Sequence, residues 1–200
     1  MANICSDKVI FYNDRYQQGI KRLSDDVEQL FHLFFTSDNW IGKLLELNEL
    51  PNPEPLNGLV INYEAEDDHI MLDLEVDFKP LINVYRKIAR QYGLSFVLRS
   101  EEYACCIYVN TDKSGRFFPD KYIAHIGGDM EDNDESGLVR AMDHEDQKYK
   151  KLDGVLEFFS EFGFVAASLY ELNRMLAKKE IDIRVYRYTT SYRPKAGDRP

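Results

Sequence analysis

The sequence predicts an α+β protein in which an antiparallel sheet is backed by helices on one face. Three observations carry that expectation. A long period-two alternation runs through the middle of the chain, where Ile70, Leu72, Leu74, Val76 and Phe78 interleave with Met71, Asp73, Glu75 and Asp77, as in a half-buried strand. Amphipathic helical spacing flanks it on both sides. Short strand-like runs then follow one another closely enough to be joined by hairpins.

In chain order, Ile4 to Tyr12 mixes β-branched and aromatic residues and stops at the turn-forming pair Asn13-Asp14, which reads as a first strand. From Tyr16 to Phe35 the residues Ile20, Leu23, Val27, Leu30, Leu33 and Phe34 recur every three or four positions, the spacing of one helix face, with a break expected at Ser24-Asp25-Asp26. A short helix is expected around Trp40 to Leu47. Pro51, Pro53 and Pro55 then exclude regular structure. Leu59 to Glu66 should pair with the alternating strand across Glu66-Asp67-Asp68. Pro80 suits the start of a helix whose face is Leu81, Val84, Tyr85, Ile88 and Tyr92, with Gly93 supplying the left-handed terminal residue. Strands at Leu94–Arg99 and Tyr103–Asn110 are expected to join through Ser100-Glu101-Glu102, with another near Tyr122 to Ile126.

The expected organisation is a core over residues 1–126, an acidic connection over 127–148, and a helix-helix-strand extension over 149–200 packed on the core as a single globular unit. In the extension, Leu152, Val155, Leu156, Phe159 and Phe162 mark a helix closed by Gly163. Ser168-Leu169-Tyr170-Glu171 matches a capping box, in which serine and glutamate each satisfy an orphan backbone amide. Ile181 to Val185 alternates as a last strand.

Composition narrows the function classes. Of 200 residues, 44% are hydrophobic and 13% aromatic, enough to build a core. The net charge of −10 opposes nucleic acids and anionic membranes, since both are bound through Lys and Arg. No apolar run is long enough for a membrane span, and no hydrophobic leader follows Met1, so a cytoplasmic location is expected. The cysteines are Cys5, Cys105 and Cys106, with no Cys-x-x-Cys spacing, and read as small buried hydrophobes in a reducing compartment.

The sharpest local pattern is Asp132 to Asp143. Oxygen donors at Asp132, Asp134, Ser136 and Asp143, with Gly137 at position six and Val139 at position eight, follow the order of a calcium loop. Arg140 at position nine and the short Asp143 at position twelve depart from it, and a solvated acidic loop is the plainer reading. His32, His69, His125 and His144 show no metal-ligand spacing, and no phosphate loop, nucleophile elbow or dinucleotide fingerprint occurs. The row Asp73, Glu75 and Asp77 reads as the solvated side of a sheet. It lacks the aromatic and basic residues an RNA-binding sheet displays. Arg174, Lys178, Lys179, Arg184, Arg187, Arg193, Lys195 and Arg199 make the C-terminal segment locally basic, suited to pairing with acidic segments of this chain or of another copy.

The opening Met1-Ala2-Asn3-Ile4-Cys5-Ser6-Asp7 resembles the Met-Ala/Pro-Asn-Trp-Cys-x-Asn start of YubB-like proteins, with Ile4 in place of Trp and Asp7 in place of Asn. The strand–helix–strand–strand run from Ile70 to Ile126 is similar to the ferredoxin-like domain of that family. The resemblance implies a ferredoxin-like core and a setting in bacteria and their mobile elements. It implies no activity.

No catalytic constellation is visible and charge is strongly segregated, so the leading expectation is a non-enzymatic binding or accessory protein. It would act through a protein partner or self-association, with no cofactor. A calcium-binding module on residues 132–143 and an acidic nucleic-acid mimic are the alternatives.

Overall fold

A computed structural model of the chain describes residues 3–36, 39–51, 56–127 and 137–192. They divide into two compact units. The first runs to Lys113 and includes residues 190–192; the second is Ser114–Thr189.

In the first unit, β1 (Ile4–Tyr12) leads through α1 (Gln17–Phe34) and α2 (Ile41–Leu47) to the hairpin β2 (Gly58–Ala65) and β3 (His69–Asp77). Next come α3 (Ile82–Tyr92), β4 (Ser95–Glu102) and β5 (Ile107–Asn110). The sheet order is β2-β3-β1-β4-β5, and every neighbouring pair is antiparallel. Two helical crossovers therefore interleave: β1 returns to β2 past β3, and β3 returns to β4 past β1.

Strand parity fixes which face is covered. Cys5, Val9 and Phe11 of β1, Ile70, Leu72, Leu74 and Val76 of β3, and Leu98 of β4 form one buried cluster. Ile20, Leu23, Val27 and Leu30 of α1, Ile41, Leu44 and Leu45 of α2, and Val84, Tyr85, Ile88 and Ala89 of α3 belong to the same cluster, so the helices lie on that one face. Burying each such side chain contributes about 1.5–3 kcal/mol. Helix α3 ends as its sequence requires, with Gly93 in the left-handed region at φ 65°. Gly58 is required by close packing, because a Cβ there would lie 3.0–3.1 Å from Ile41, Val76 and Leu81 side chains.

The second unit contains β6 (Tyr122–Ile126), α4 (Leu138–Ala141), β7 (Gln147–Tyr149), α5 (Leu152–Glu161), α6 (Leu169–Lys178) and β8 (Ile183–Arg187). Its sheet is β7-β6-β8, antiparallel throughout. Leu138, Val139, Met142, Val155, Phe159, Phe164, Leu172, Leu176, Ile183 and Val185 close a separate core.

Four local expectations differ from the structure. Helix α1 runs unbroken through Ser24-Asp25-Asp26, because Leu23 and Val27 on either side are both fully buried and hold its face to the sheet. Strands β4 and β5 do not turn at Ser100-Glu101-Glu102; the ladder continues to Glu102↔Ile107, and the turn is Tyr103–Cys106. Tyr122–Ile126 joins the second sheet through pairings with Arg187 to Ile183, not the first, so the division falls near residue 113 and not at 126. The stretch expected to be a connection over 127–148 supplies buried Leu138, Val139 and Met142 and part of β7.

Candidate functional site

Asp7 occupies a position where the strand pattern calls for an apolar residue. It stands between Cys5 and Val9 in the inward row of β1 and is fully buried. Its Oδ2 accepts hydrogen bonds from the Tyr85 hydroxyl at 2.6 Å and from the Leu81 amide at 3.0 Å. Ser100, its partner across β1 and β4, also hydrogen-bonds the carboxylate. The Cys5 Sγ lies 3.8 Å from Oδ1 and 3.0 Å from the Ser100 Oγ. Removal from water raises the Asp7 pKa, opposed in part by these donors. Burial, with the Asp7 charge beside it, pushes the Cys5 thiol up to about 12, and the same two causes hold the Tyr85 phenol well above its ordinary value.

This cluster ties β1, β4 and the start of α3 together through one carboxylate. Its thiol stays protonated at neutral pH, so Cys5 is no nucleophile, and the side chains of Cys5, Asp7, Tyr85 and Ser100 are all fully buried. Its chemistry is that of a buried proton-holding clamp. A second polar contact lies between helices, where the Tyr92 hydroxyl meets the Asp26 carboxylate and the Asn48 side chain.

Of the residues expected to form a calcium loop, Asp143 lies among the described residues. Asp132, Asp134 and Ser136 lie outside the described residues. Asp143 is exposed, at φ 53°, just after α4. Among the described residues, no group of three or more His, Cys, Asp or Glu side chains is placed to hold a metal ion. In the carboxylate row, Asp73 pairs with Lys8 at 3.1 Å, Asp77 accepts from the Asn57 amide at 2.7 Å, and Glu75 is exposed. His69 bonds Asp68 at 2.8 Å and His125 bonds Asp146 at 3.0 Å, so these rings have carboxylate partners rather than ligand neighbours.

Two exposed features have no counterpart in the sequence reading. The first is apolar. Strand β2 is the edge of its sheet, and its start is covered: Val60 bonds Asn39, and Trp40 bridges Leu59. Leu59 and Ile61 are 46% and 51% exposed on it, and Ile61 is the extra residue of a bulge. Further along the strand, on its helix-facing side, the rings of Tyr63 and Phe31 stand 4.8 Å apart, Phe31 and Phe34 6.4 Å, and Phe34 and Phe35 5.9 Å. Phe34 is 47% and Phe35 87% exposed. Glu28 hydrogen-bonds Tyr63, placing a carboxylate at the rim. A shallow groove of about 280 Å³ adjoins the covered end, lined by Ile4, Trp40, Leu59, Glu75 and Asp77 among others.

The second is the β4–β5 turn. Cys105 and Cys106 are both exposed in it, so the expectation of three buried thiols holds for Cys5 alone. The signals were in the sequence: a lone carboxylate in an apolar row for Asp7, and consecutive aromatics at the end of a helix for the patch.

No protein-family profile, no curated protein and no solved structure matches this chain.

Proposed function

We propose that the chain is a binding protein without catalytic activity, built on a ferredoxin-like first unit, which acts by capturing an extended segment of another protein along the edge of β2. What supports this is a set of exposed apolar side chains at the edge of the sheet: Leu59 and Ile61 on β2, and Phe34 and Phe35 at the end of α1, which connect through the ring of Phe31 to Tyr63 of the same strand. Large exposed apolar patches rimmed by polar groups mark protein contacts, and aromatic residues are the side chains that most often anchor them. An open edge offers backbone donors and acceptors to an added strand, while alternate side chains give selectivity.

Charge defines the occupant. Glu28 hydrogen-bonds Tyr63, Glu64 is exposed on β2, Glu75 and Asp77 line the groove at the other end of the strand, and the chain carries −10 overall. An extended segment that is both apolar and basic complements that surface, and the locally basic C-terminal segment of a second copy has that character. Ferredoxin-like connectivity supports the reading because the strand order β2-β3-β1-β4 leaves β2 outermost.

The test compares the wild type with a double variant, Ile61→Lys and Phe35→Ser, by sedimentation velocity at low and high salt and by capture of proteins from lysate. The expected result is salt-sensitive self-association or a captured protein that the double variant loses. A wild type that stays monomeric at every concentration, with a captured set identical to that of the variant, overturns the proposal.

A further inference from the structure

We infer that Cys105 and Cys106 form a chelating dithiol site on the β4–β5 turn, one that takes a soft, thiolate-seeking centre satisfied by two sulfurs.

The turn is built more firmly than a connection needs. The Cys106 amide bonds the Tyr103 carbonyl at 3.2 Å, closing a four-residue turn. The Glu102 carboxylate reaches over it and accepts the amides of Ala104, at 3.1 Å, and of Cys105. Glu102 is itself 2% exposed, so the clamp is fixed to the sheet. Cys106 then sits at φ 54°, in the left-handed region. Glycine or asparagine takes such a position easily, whereas another residue meets a steric penalty between its Cβ and the following carbonyl. A non-glycine residue held there by its surroundings is a pattern that recurs at ligand clamps.

The thiols fit that pattern. Both are exposed while every neighbour in β4 from Ser100 to Glu102 is buried, so they stand at the accessible tip of the hairpin. The Asn3 side-chain amide donates to the Cys105 Sγ at 3.4 Å. Neighbouring Cα atoms are about 3.8 Å apart, short of the roughly 4.4–6.8 Å usual for a disulfide, so a direct sulfur–sulfur bond strains the turn. A bridging atom relieves this by letting the sulfurs stay apart. The nearby Glu102 charge favours a cation or an electrophile over an anion.

Trivalent arsenicals and soft monovalent metals share this chemistry. With phenylarsine oxide the step balances without oxidation. Each thiol passes its proton to the oxo oxygen, two arsenic–sulfur bonds form as the arsenic–oxygen bond breaks, and one water leaves.

The experiment titrates accessible thiols of the native protein before and after one equivalent of phenylarsine oxide, and repeats the series with silver ion. Of the three cysteines, Cys105 and Cys106 should react and buried Cys5 should not. One equivalent of the arsenical should silence both, and a competing monothiol should not reverse it. Cys106→Gly removes one sulfur while relieving the left-handed backbone, so it should fold at least as stably as the wild type. It should lose arsenical retention by about 10²-fold or more, the loss expected when two linked contacts become one. Protection by the arsenical but not silver assigns the site to metalloids, and protection by both assigns it to soft centres generally. If neither reagent protects the pair, or if Cys106→Gly retains the arsenical as tightly as the wild type, the inference is wrong.

Discussion

At the scale of single residues, Asp7 is the side chain whose chemistry departs furthest from its surroundings. Its pKa is raised by loss of water, so the folded chain holds that proton more tightly than the unfolded chain does. The stability this confers is complete below the unfolded carboxylate value of about 3.9 and is lost as pH climbs toward and through the folded value. Asp7→Asn removes the charge but keeps the shape. Its oxygen can take the Tyr85 and Leu81 donors, and its amide can face Cys5 and Ser100, whose sulfur and oxygen accept. The variant is therefore expected to melt above the wild type at pH 8, with the difference shrinking toward pH 4 in thermal unfolding followed by circular dichroism. Asp7→Ala instead orphans the Tyr85 hydroxyl and the Leu81 amide and should cost about 1–3 kcal/mol for each group left unsatisfied. A wild-type advantage over Asp7→Asn that grows with pH would show the donors outweighing burial, with the carboxylate held ionised and its pKa lowered.

At the scale of elements, the serine half of the capping box expected at Ser168 is present, while the glutamate reaches one residue further back than the box requires, to the amide before the cap. The Ser168 Oγ accepts from the Glu171 amide at 3.2 Å, and the Glu171 carboxylate accepts from the Ala167 amide at 2.8 Å. Ser168→Ala should destabilise the second unit by about 1 kcal/mol, measured as a lower denaturant midpoint with unchanged slope; an unaltered midpoint would show that tertiary packing alone holds the start of α6. Elements of this kind were legible because their signals are local. Alternation placed Ile70, Leu72, Leu74 and Val76 inward, helical spacing placed Ile20, Leu23, Val27 and Leu30, and Gly93 ended α3. What was not legible depends on partners distant in sequence. Nothing within Tyr122–Ile126 says that its ladder runs to Ile183–Arg187, and nothing within Ser95–Glu102 says whether the chain turns at 100 or at 103. Leu138, Val139 and Met142 fill a core although acidic residues surround them in sequence, because three apolar side chains on one short turn suffice once a sheet is there to receive them. The same limit applied to the candidate sites. Asp7 could be seen as an anomaly in its strand, but Tyr85 and Ser100 come to it from far along the chain, Tyr85 from 78 positions away.

At the scale of the whole molecule, the division into two units, each with its own buried cluster, has a consequence for how the chain loses structure. Phe159 is fully buried in the second cluster, with Phe158 edge-on to it at 5.2 Å. Its truncation to alanine removes most of a ring from a closed core, where such losses cost about 3–5 kcal/mol. That is a large share of the stability of a small domain, usually about 5–15 kcal/mol. Native-state hydrogen exchange reads the outcome strand by strand, because amides in a cooperative unit share one opening free energy. In Phe159→Ala the amides of β6 and β8 should exchange faster by the factor that loss implies, about 10²–10³-fold or more at 1.4 kcal/mol per decade. The amides of β1, β3 and β4 belong to the cluster built on Leu72, Leu74 and Phe11 and should keep their wild-type rates. Equal acceleration in both sets would show one cooperative unit with two cores, and the first unit's edge at β2 would then open whenever the second unit did.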